Sequence, residues 1–392
     1  MSTSQTSEWT RSFLGSLASY INGRAFGPAD WGTQGLPIVR IEQMLNSKAE
    51  SDFFSGTLDP ANRIDTGDLV FSWSATLAIR QWDRGPAALN QHLFKVMPKN
   101  GVNARFLHHL IEFHIEELAG QSHGSTMRHI KRGDLADFPV LMPIEPEQAR
   151  IAEVLDTLDE AIQGTEVLLG KLELAQQGLL LDSLESRVRS KAVPLAHYIS
   201  GIDAGKSPDC PESPALAGEW GVLKVSAVVR SGFRQNENKA VLNPAHFNPV
   251  YEVRPGDLLI TRANTYELIA QACVVSETPP RLMMCDKTLR LKPNAKATAD
   301  FLWMALSTPT ARRHIEINAT GSSGTMKNIT QGAIRSIPIP DMDRETQDTV
   351  TAQMSAITSR IQTETIALNK LKSLKFGFSS DLLTGRIRTR PQ

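Results

Sequence analysis

The feature that most constrains this chain is an internal duplication. Residues Gly124 to Arg189 can be laid on Ser323 to Arg388 at a constant offset of 199 without a gap. Thr126-Met127 falls on Thr325-Met326, Ile130 on Ile329, Gly133 on Gly332 and Pro139 on Pro338. Further along, Gln148 meets Gln347, Lys171-Leu172 meets Lys370-Leu371, Gly178 meets Gly377, and Arg187-Val188-Arg189 meets Arg386-Ile387-Arg388. One register held over so many scattered positions marks a repeated structural unit. Weaker echoes lie upstream at other offsets. Leu17-Ala18-x-Tyr20-Ile21-x-Gly23 resembles Leu195-Ala196-x-Tyr198-Ile199-x-Gly201, Gly67-Asp68-Leu69 resembles Gly256-Asp257-Leu258, and Phe106-Leu107 resembles Phe301-Leu302. Loops of different length must separate those anchors. The expected organisation is a variable domain over 1–143, a helix over 144–189, a second variable domain over 190–340, and a second helix with a tail over 341–392.

Both better-matched segments carry a heptad stripe. Ile151, Leu155, Leu158, Ile162, Leu169, Leu172 and Leu179 follow alternating steps of four and three, broken by Thr165 and Gln176. The second copy reads Val350, Met354, Ile357, Ile361, Leu368, Leu371 and Phe378, broken at the equivalent Glu364 and Lys375. So narrow a stripe is the seam of a coiled coil, and a domain between the two helices makes antiparallel pairing within the chain the economical solution. A stripe packed on its own domain is the alternative. Pro146 between Glu145 and Glu147 suits a first turn, and Pro340-Asp341 precedes the second helix. The pairing of Gly178 with Gly377 means either a close backbone approach or a tolerated defect.

The variable segments read as mixed α and β. Asp68-Leu69-Val70-Phe71 and Asp257-Leu258-Leu259-Ile260 are short apolar runs behind a glycine turn, hence buried strands. Gly35 to Val39 and Trp220 to Val225 are further strands, and 104–118 and 299–317 are helical, the latter interrupted at Pro309. The fold class expected is α+β: two globular α/β domains separated by two long helices that form an antiparallel intramolecular coiled coil. At 392 residues, more than one core is expected.

Lys+Arg and Asp+Glu both number 42, so any nucleic-acid surface must be local rather than a bulk electrostatic grip. Cys210, Cys273 and Cys285 match neither a disulfide framework nor paired zinc ligands, which fits a reducing compartment. The start Met1-Ser2-Thr3-Ser4-Gln5 lacks the regions of a signal peptide, and no apolar stretch approaches the length of a membrane helix. A cytoplasmic location with no membrane partner is expected.

Gly124-Ser125-Thr126-Met127-x-x-Ile130, then Phe138-Pro139-Val140-x-x-Pro143 and Glu147-Gln148-x-x-Ile151-Ala152, resembles the domain–helix junction of specificity subunits of type I restriction–modification systems. So does the second copy, from Gly324-Thr325-Met326 through Ile337-Pro338-Ile339-Pro340 to Gln347. The stretch Leu155-Asp156-x-Leu158-Asp159-x-x-Ile162 and the ending Asp381-Leu382-Leu383-Thr384-Gly385-Arg386-Ile387 resemble the family's helices and terminus. The resemblance implies that each domain reads one half of a split site on double-stranded DNA while the helices hold the halves apart. It implies no catalytic residue and no cofactor in this chain. S-adenosylmethionine and ATP would be handled by partners, two methyltransferase subunits and restriction/translocase subunits. The poor match of the variable domains makes the target asymmetric and bipartite.

Candidate DNA-binding residues follow from placement. Arg24 and Lys206 lie in glycine-rich loops after the first expected strand of each domain, and Ser72-Trp73 and Arg262 with Asn264 follow the Gly-Asp-Leu strands. Arg and Asn suit guanine and adenine edges in the major groove. Ser125, Thr126 and Arg128 in the first junction, and Thr325 and Lys327 in the second, suit phosphate contacts. A structural turn at each junction is the competing reading. Asn248-Pro249-Val250-Tyr251 is one residue from the Asn/Asp-Pro-Pro-Tyr motif of adenine methyltransferases; a turn after Pro244 is the expectation there. Gly321 to Lys327 lacks the order of a phosphate-binding P-loop. His108, His109 and His114 show no metal-ligand spacing and read as helix-surface or internally satisfied residues, so no metal is expected. A self-contained adenine methyltransferase and a coiled-coil scaffold unrelated to DNA are the alternative functions.

Overall fold

The computed structural model of the chain describes residues 9–120, 129–130, 132–266, 268–321 and 326–389. Two compact units emerge, Met1–Val167 with Ile366–Gln392, and Leu168–Thr365. Each boundary falls inside a long helix, so each unit holds half of both helices. The first helix runs Glu145–Leu180 and is continued by a π-helical stretch, Leu181–Glu185, and a short helix, Ser186–Ser190. The second runs Arg344–Leu383. Glu145 and Glu147 place negative charge at the positive end of the first helix, and the Asp343 carboxylate accepts from the Thr346 amide at the start of the second.

The two helices pair antiparallel. In the second unit the Gln176 side-chain amide donates to the Thr358 hydroxyl over 2.8 Å. In the first, Lys375 reaches Asp159 at 2.6 Å and Lys372 reaches Glu166 at 2.7 Å. Seventeen residues back along one helix thus correspond to seventeen forward along the other. Leu158, Ile162, Leu169, Leu172, Ile357, Ile361, Leu368 and Leu371 are half-buried while most residues between them are exposed. The stripe's ends behave differently. Ile151 and Leu155 join a core with Leu382 and Leu383, and Val350 and Met354 join a core with Leu184. Each helix therefore packs on a domain at its start and on its partner further along, combining the two packings the stripe allows.

Two details depart from the sequence pattern. Phe378 is 41% exposed, and Ser379 takes the buried position instead. A straight helix drifts about 20° per heptad from a strict seven-residue seam, so by the last turns the inward position has moved on by one. Nor does the backbone approach closely at the paired glycines. A Cβ added at Gly164, Gly170, Gly178 or Gly377 would meet nothing within 4 Å.

Each unit carries the same antiparallel sheet. In the first the strand order is Ala18–Asn22, Leu93–Pro98, Leu69–Ser72, Ala78–Gln81; in the second it is Ile199–Ala204, Thr288–Pro293, Leu258–Thr261, Ala272–Val274. A smaller sheet accompanies each, built on a parallel pair, Leu36–Val39 with Ala87–Leu89 and Gly221–Leu223 with Leu282–Met283. The central strands start as the Gly-Asp-Leu motifs dictate. Gly67 (φ 99°) and Gly256 (φ 90°) turn the chain in the left-handed region that favours glycine. The following aspartates close the turns, accepting from the Asp65 and Arg254 amides at 2.7 and 2.8 Å. They also pair with equivalent cations on the neighbouring strand, Lys95 at 2.7 Å and Arg290 at 3.0 Å. Helix Ala104–Gly120 buries Phe106, Leu107, Leu110 and Ile111 against the first sheet. Its counterpart is split into Ala299–Ala305 and Pro309–Asn318, where Thr308 caps and Pro309 opens the second piece.

The upstream echo is out of register. Leu14 and Leu195 are the equivalent residues: their amides donate to the carbonyls of Phe138 (2.9 Å) and Ile337 (2.8 Å), which lie 199 apart. Tyr198 precedes its strand, and its hydroxyl bonds the backbone of Pro340 and Met342. Tyr20 lies within a strand, opposite Val96. Gly23 matches Gly205 rather than Gly201, since an added Cβ would lie 2.2–2.3 Å from the carbonyls of Leu89 and Asn90 in one and of Met284 and Cys285 in the other. A bulge between Ile199 and Gly201 accounts for part of the slip. A still earlier strand, Thr10–Phe13 or Ala192–Pro194, pairs antiparallel with Pro139–Met142 or Pro338–Pro340, so Arg24 and Lys206 follow the second strand of each unit, not the first.

Candidate DNA-recognition surface

The sequence-derived candidates gather at one end of each antiparallel sheet. That end is where the strand Ala18–Asn22 finishes, Leu93–Pro98 begins and Leu69–Ser72 finishes; Ile199–Ala204, Thr288–Pro293 and Leu258–Thr261 repeat it. The loop amides of Arg24 and Lys206 sit there equivalently, donating to Leu89 (2.8 Å) and Met284 (3.1 Å). Their side chains differ. Arg24 is bound to Asp30 at 2.7 Å, with its guanidinium 4.5 Å from the Phe54 ring centre, whereas Lys206 is exposed.

Beyond the central strand of the second unit, Ala263–Asn264 pairs with Lys327–Asn328, bringing the second junction onto the same sheet end. Arg262 is exposed, Asn264 is half-buried with its side-chain oxygen accepting from the Thr265 amide, and Lys327 donates to the Gly321 carbonyl at 2.9 Å. Lys287, which no sequence motif singles out, belongs to this surface, because the Arg262 amide donates to its carbonyl at 2.8 Å. Lys206, Arg262 and Lys287 form no ion pair among the described residues. Asp286 lies beside them, its amide bonded to the Ser207 hydroxyl. Three cations and one acid thus meet at this sheet end.

In the first unit Ser72 is fully buried and donates to the Ser74 carbonyl, which removes it from any direct contact with DNA. Trp73 is half-buried, its ring 5.8 Å from His92 and 5.9 Å from His129. Ser125, Thr126, Arg128 and Thr325 lie outside the described residues.

Other motifs resolve into structure. Asn248-Pro249-Val250-Tyr251 forms a 3-10 turn whose Asn248 carboxamide oxygen accepts from the Val250 amide at 3.0 Å. His109 is not on a helix surface: it is buried and bonded to Asp156 at 2.7 Å. Its ring, Glu112 and Asp159 bring ligand-type atoms within 4.8 Å of one another. The Lys375 ammonium lies among them, 2.7 Å from Glu112 and 2.6 Å from Asp159. Burial pushes Glu112 up and Lys375 down, but the bond from Lys375 holds the Glu112 carboxyl below its ordinary range, and the bonds to Asp159 and Glu112 hold the Lys375 ammonium above its own. The cluster ties helix Ala104–Gly120 to both long helices of its unit, with a lysine in the place a cation would take.

Comparison with known proteins agrees with this architecture. Residues 6–174 match the family described as the Type I restriction modification DNA specificity domain. The Escherichia coli EcoEI specificity subunit is 33% identical over 147 residues, 37% of this chain and 25% of that protein. The E. coli EcoBI specificity subunit is 28% identical over 167 residues, 42% of this chain and 35% of that protein. The matches thus span a quarter to about a third of the length of these relatives. In fold, the S subunit of a type I restriction–modification system from M. genitalium superposes with a TM-score of 0.63 at 12% identity, covering 98% of both chains. A chain from a structure of type I restriction–modification complex assembly gives 0.52 at 16% identity over 97% of this chain and 99% of that one. The matched segment resembles the family's DNA specificity domain, and the fold is that of the S subunits. The match in sequence to the family covers residues 6–174, whereas the similarity in fold extends over 98% of the chain. Among the described residues no helix is long and apolar enough to cross a membrane.

Proposed function

We propose that this chain is the DNA-reading adaptor of a cytoplasmic type I restriction–modification complex. Each unit reads one half of an asymmetric bipartite site on double-stranded DNA. The paired helices set the spacing between the halves and dock two methyltransferase subunits, while restriction/translocase subunits join the assembly. The chain itself performs no chemistry and holds no cofactor or metal; S-adenosylmethionine and ATP act on its partners. Arg24, Trp73, Lys206, Arg262, Asn264 and Lys327 contribute to the DNA surface, together with Ser125, Thr126, Arg128 and Thr325 at the junctions.

One observation carries this reading: a single backbone frame, duplicated within the chain and joined by duplicated helices, ends in a different side-chain set in each copy. Replacing residues up to Val140 with another family member's first domain, in the complex with its modification subunits, should change one half of the methylated sequence only. A change in both halves would defeat independent reading. Transfer of labelled methyl groups to DNA by the isolated chain would defeat the adaptor role.

The spacing is testable separately. Duplicating four residues after Gly170, and four after the repeat-equivalent Asn369, lengthens both helices by about 6 Å and rotates the downstream residues by only about 40°. The half-sites should stay the same and move apart by one or two base pairs, whose rise is about 3.4 Å each. Insertions of two residues turn the seam by about 200° and should abolish assembly.

A further inference from the structure

We propose that three equivalent positions in each unit set its base preference: Trp73, His92 and His129 in the first, and Arg262, Lys287 and Asn328 in the second. This assignment rests on the DNA-reading function and deepens it.

The backbone matches the positions, and for His129 with Asn328 it agrees with the 199-residue repeat. Ile130 donates its amide to the Trp73 carbonyl at 2.8 Å, and Ile329 donates to that of Arg262 at 2.9 Å. Ser74 bridges to His129 as Ala263 pairs with Asn328. Ser72 lies opposite Leu93 as Thr261 lies opposite Thr288, which sets His92 and Lys287 at the same place, one residue before their strands. All six side chains are exposed or half-buried.

Directly beneath them the chain keeps its character. Ser72 and Thr261 are small hydroxyl residues at 0% exposure, and Ile130 and Ile329 are both buried. The three outward positions change class completely: an indole between two imidazoles in one unit, a guanidinium with an ammonium and a carboxamide in the other. A frame held constant beneath tips that differ is what separate recognition of two unlike half-sites requires. Residues serving only to hold the sheet end would keep similar size and polarity in both copies.

The chemistry indicates the contacts. Arg262 and Lys287 only donate, which suits the N7 and O6 acceptors of guanine, and Asn328 suits the N6 and N7 edge of adenine. The second half-site is thus read through purine major-groove edges. Trp73 offers an apolar face suited to a thymine methyl, and each imidazole offers single hydrogen bonds. The first half-site is read through shape and single bonds.

The test uses the full complex with its modification subunits. Methylation-site mapping is made for Arg262→Ala, Lys287→Ala, Asn328→Ala, His92→Ala and His129→Ala, with exposed Arg313→Ala, away from the sheet end, as control. Each triad variant should relax one or two positions of one half-site, by about 5- to 150-fold in discrimination, leaving the other half-site and the spacer unchanged. The control should alter no base preference. Selection of bound duplexes by the purified complex gives the same readout where methylation falls below detection. Unchanged base preference in all five variants, with an intact bipartite site, would overturn the triads and leave the adaptor function standing. A parent complex that marks or selects no bipartite sequence would overturn the function itself, and the triads with it.

Discussion

The Lys375 ammonium lies 2.6 Å from the Asp159 carboxylate. Shifting each by the 199-residue repeat gives Gln176 and Thr358, which are also joined, at 2.8 Å. The repeat thus preserves a contact across the helix pair while changing it from an ion pair to a neutral hydrogen bond. Lys375→Ala should leave Asp159 without its lysine and Glu112 with the more distant Arg80, at 3.5 Å. The cost should fall between the roughly 1 kcal/mol of an exposed pair and the roughly 3 kcal/mol of a broken buried one. Asp159→Thr combined with Lys375→Gln copies the other unit's pair and should recover part of that loss in urea denaturation.

Glu147 gives the first unit a dependence on acid. Its buried carboxylate receives Arg388 through two bonds, 2.8 and 2.7 Å, and the Trp9 indole at 3.2 Å. Burial alone would raise its proton affinity, but Arg388, Trp9 and the Thr389 amide overrule it and hold the group below the usual carboxylate range. Because the folded value is depressed, the stabilisation is complete above the unfolded value near about 4.3 and is lost as pH falls through the folded one. Glu147→Gln should lower stability at neutral pH and flatten the decline below about pH 4, measured as urea midpoints against pH.

The long helices carry glycines that no neighbour requires. With nothing within 4 Å of an added Cβ, Gly164→Ala and Gly377→Ala should each stabilise the fold by about 1 kcal/mol. A rise in Tm that is additive in the double variant is the expected result; a fall at either site would reveal a hidden packing demand.

Gly23→Ala and Gly205→Ala should act in the opposite direction. An added Cβ would lie 2.2–2.3 Å from the backbone carbonyls of Leu89 and Asn90, or of Met284 and Cys285, so that backbone must move. Each should destabilise its own unit by about 2–4 kcal/mol, with domain-specific loss in proteolysis.

The helices were legible because a gapless repeat carries its register with it. Gln148 and Gln347 even keep their bonds, each donating to the carbonyl five residues before it, Pro143 or Met342, and to a loop carbonyl, Gly101 or Lys296. The domains were less legible, because unequal loops hide which residues match. Leu-Ala-x-Tyr-Ile invited an alignment of Tyr20 with Tyr198 that backbone pairing contradicts. Leu14 and Leu195 share a role with little local motif to show it. At the sheet ends the sequence singled out Trp73 and Arg262 through their motif neighbours but not Lys287, His92, His129 or Asn328. His129 and Asn328 do lie 199 apart within the repeat, but the match of His92 with Lys287 emerges only from the strand pairing of the frame.

The antiparallel register also decides which helices can marry. If a first helix met a copy of itself in the same register, Glu173 would replace its repeat-equivalent Lys372 opposite Glu166, exchanging a 2.7 Å ion pair for two like charges. Asp159 would likewise find Gln176 in place of Lys375. Two second helices would set Lys375 against Thr358 and Lys372 against Thr365, with no acid on either side. Each mismatch is modest at a partly exposed site, yet all act in one direction. Divergence after the duplication has thus made the two halves complementary rather than interchangeable. A fragment ending after the first helix should be a poor partner for its own copy and should bind the missing half of the chain in preference.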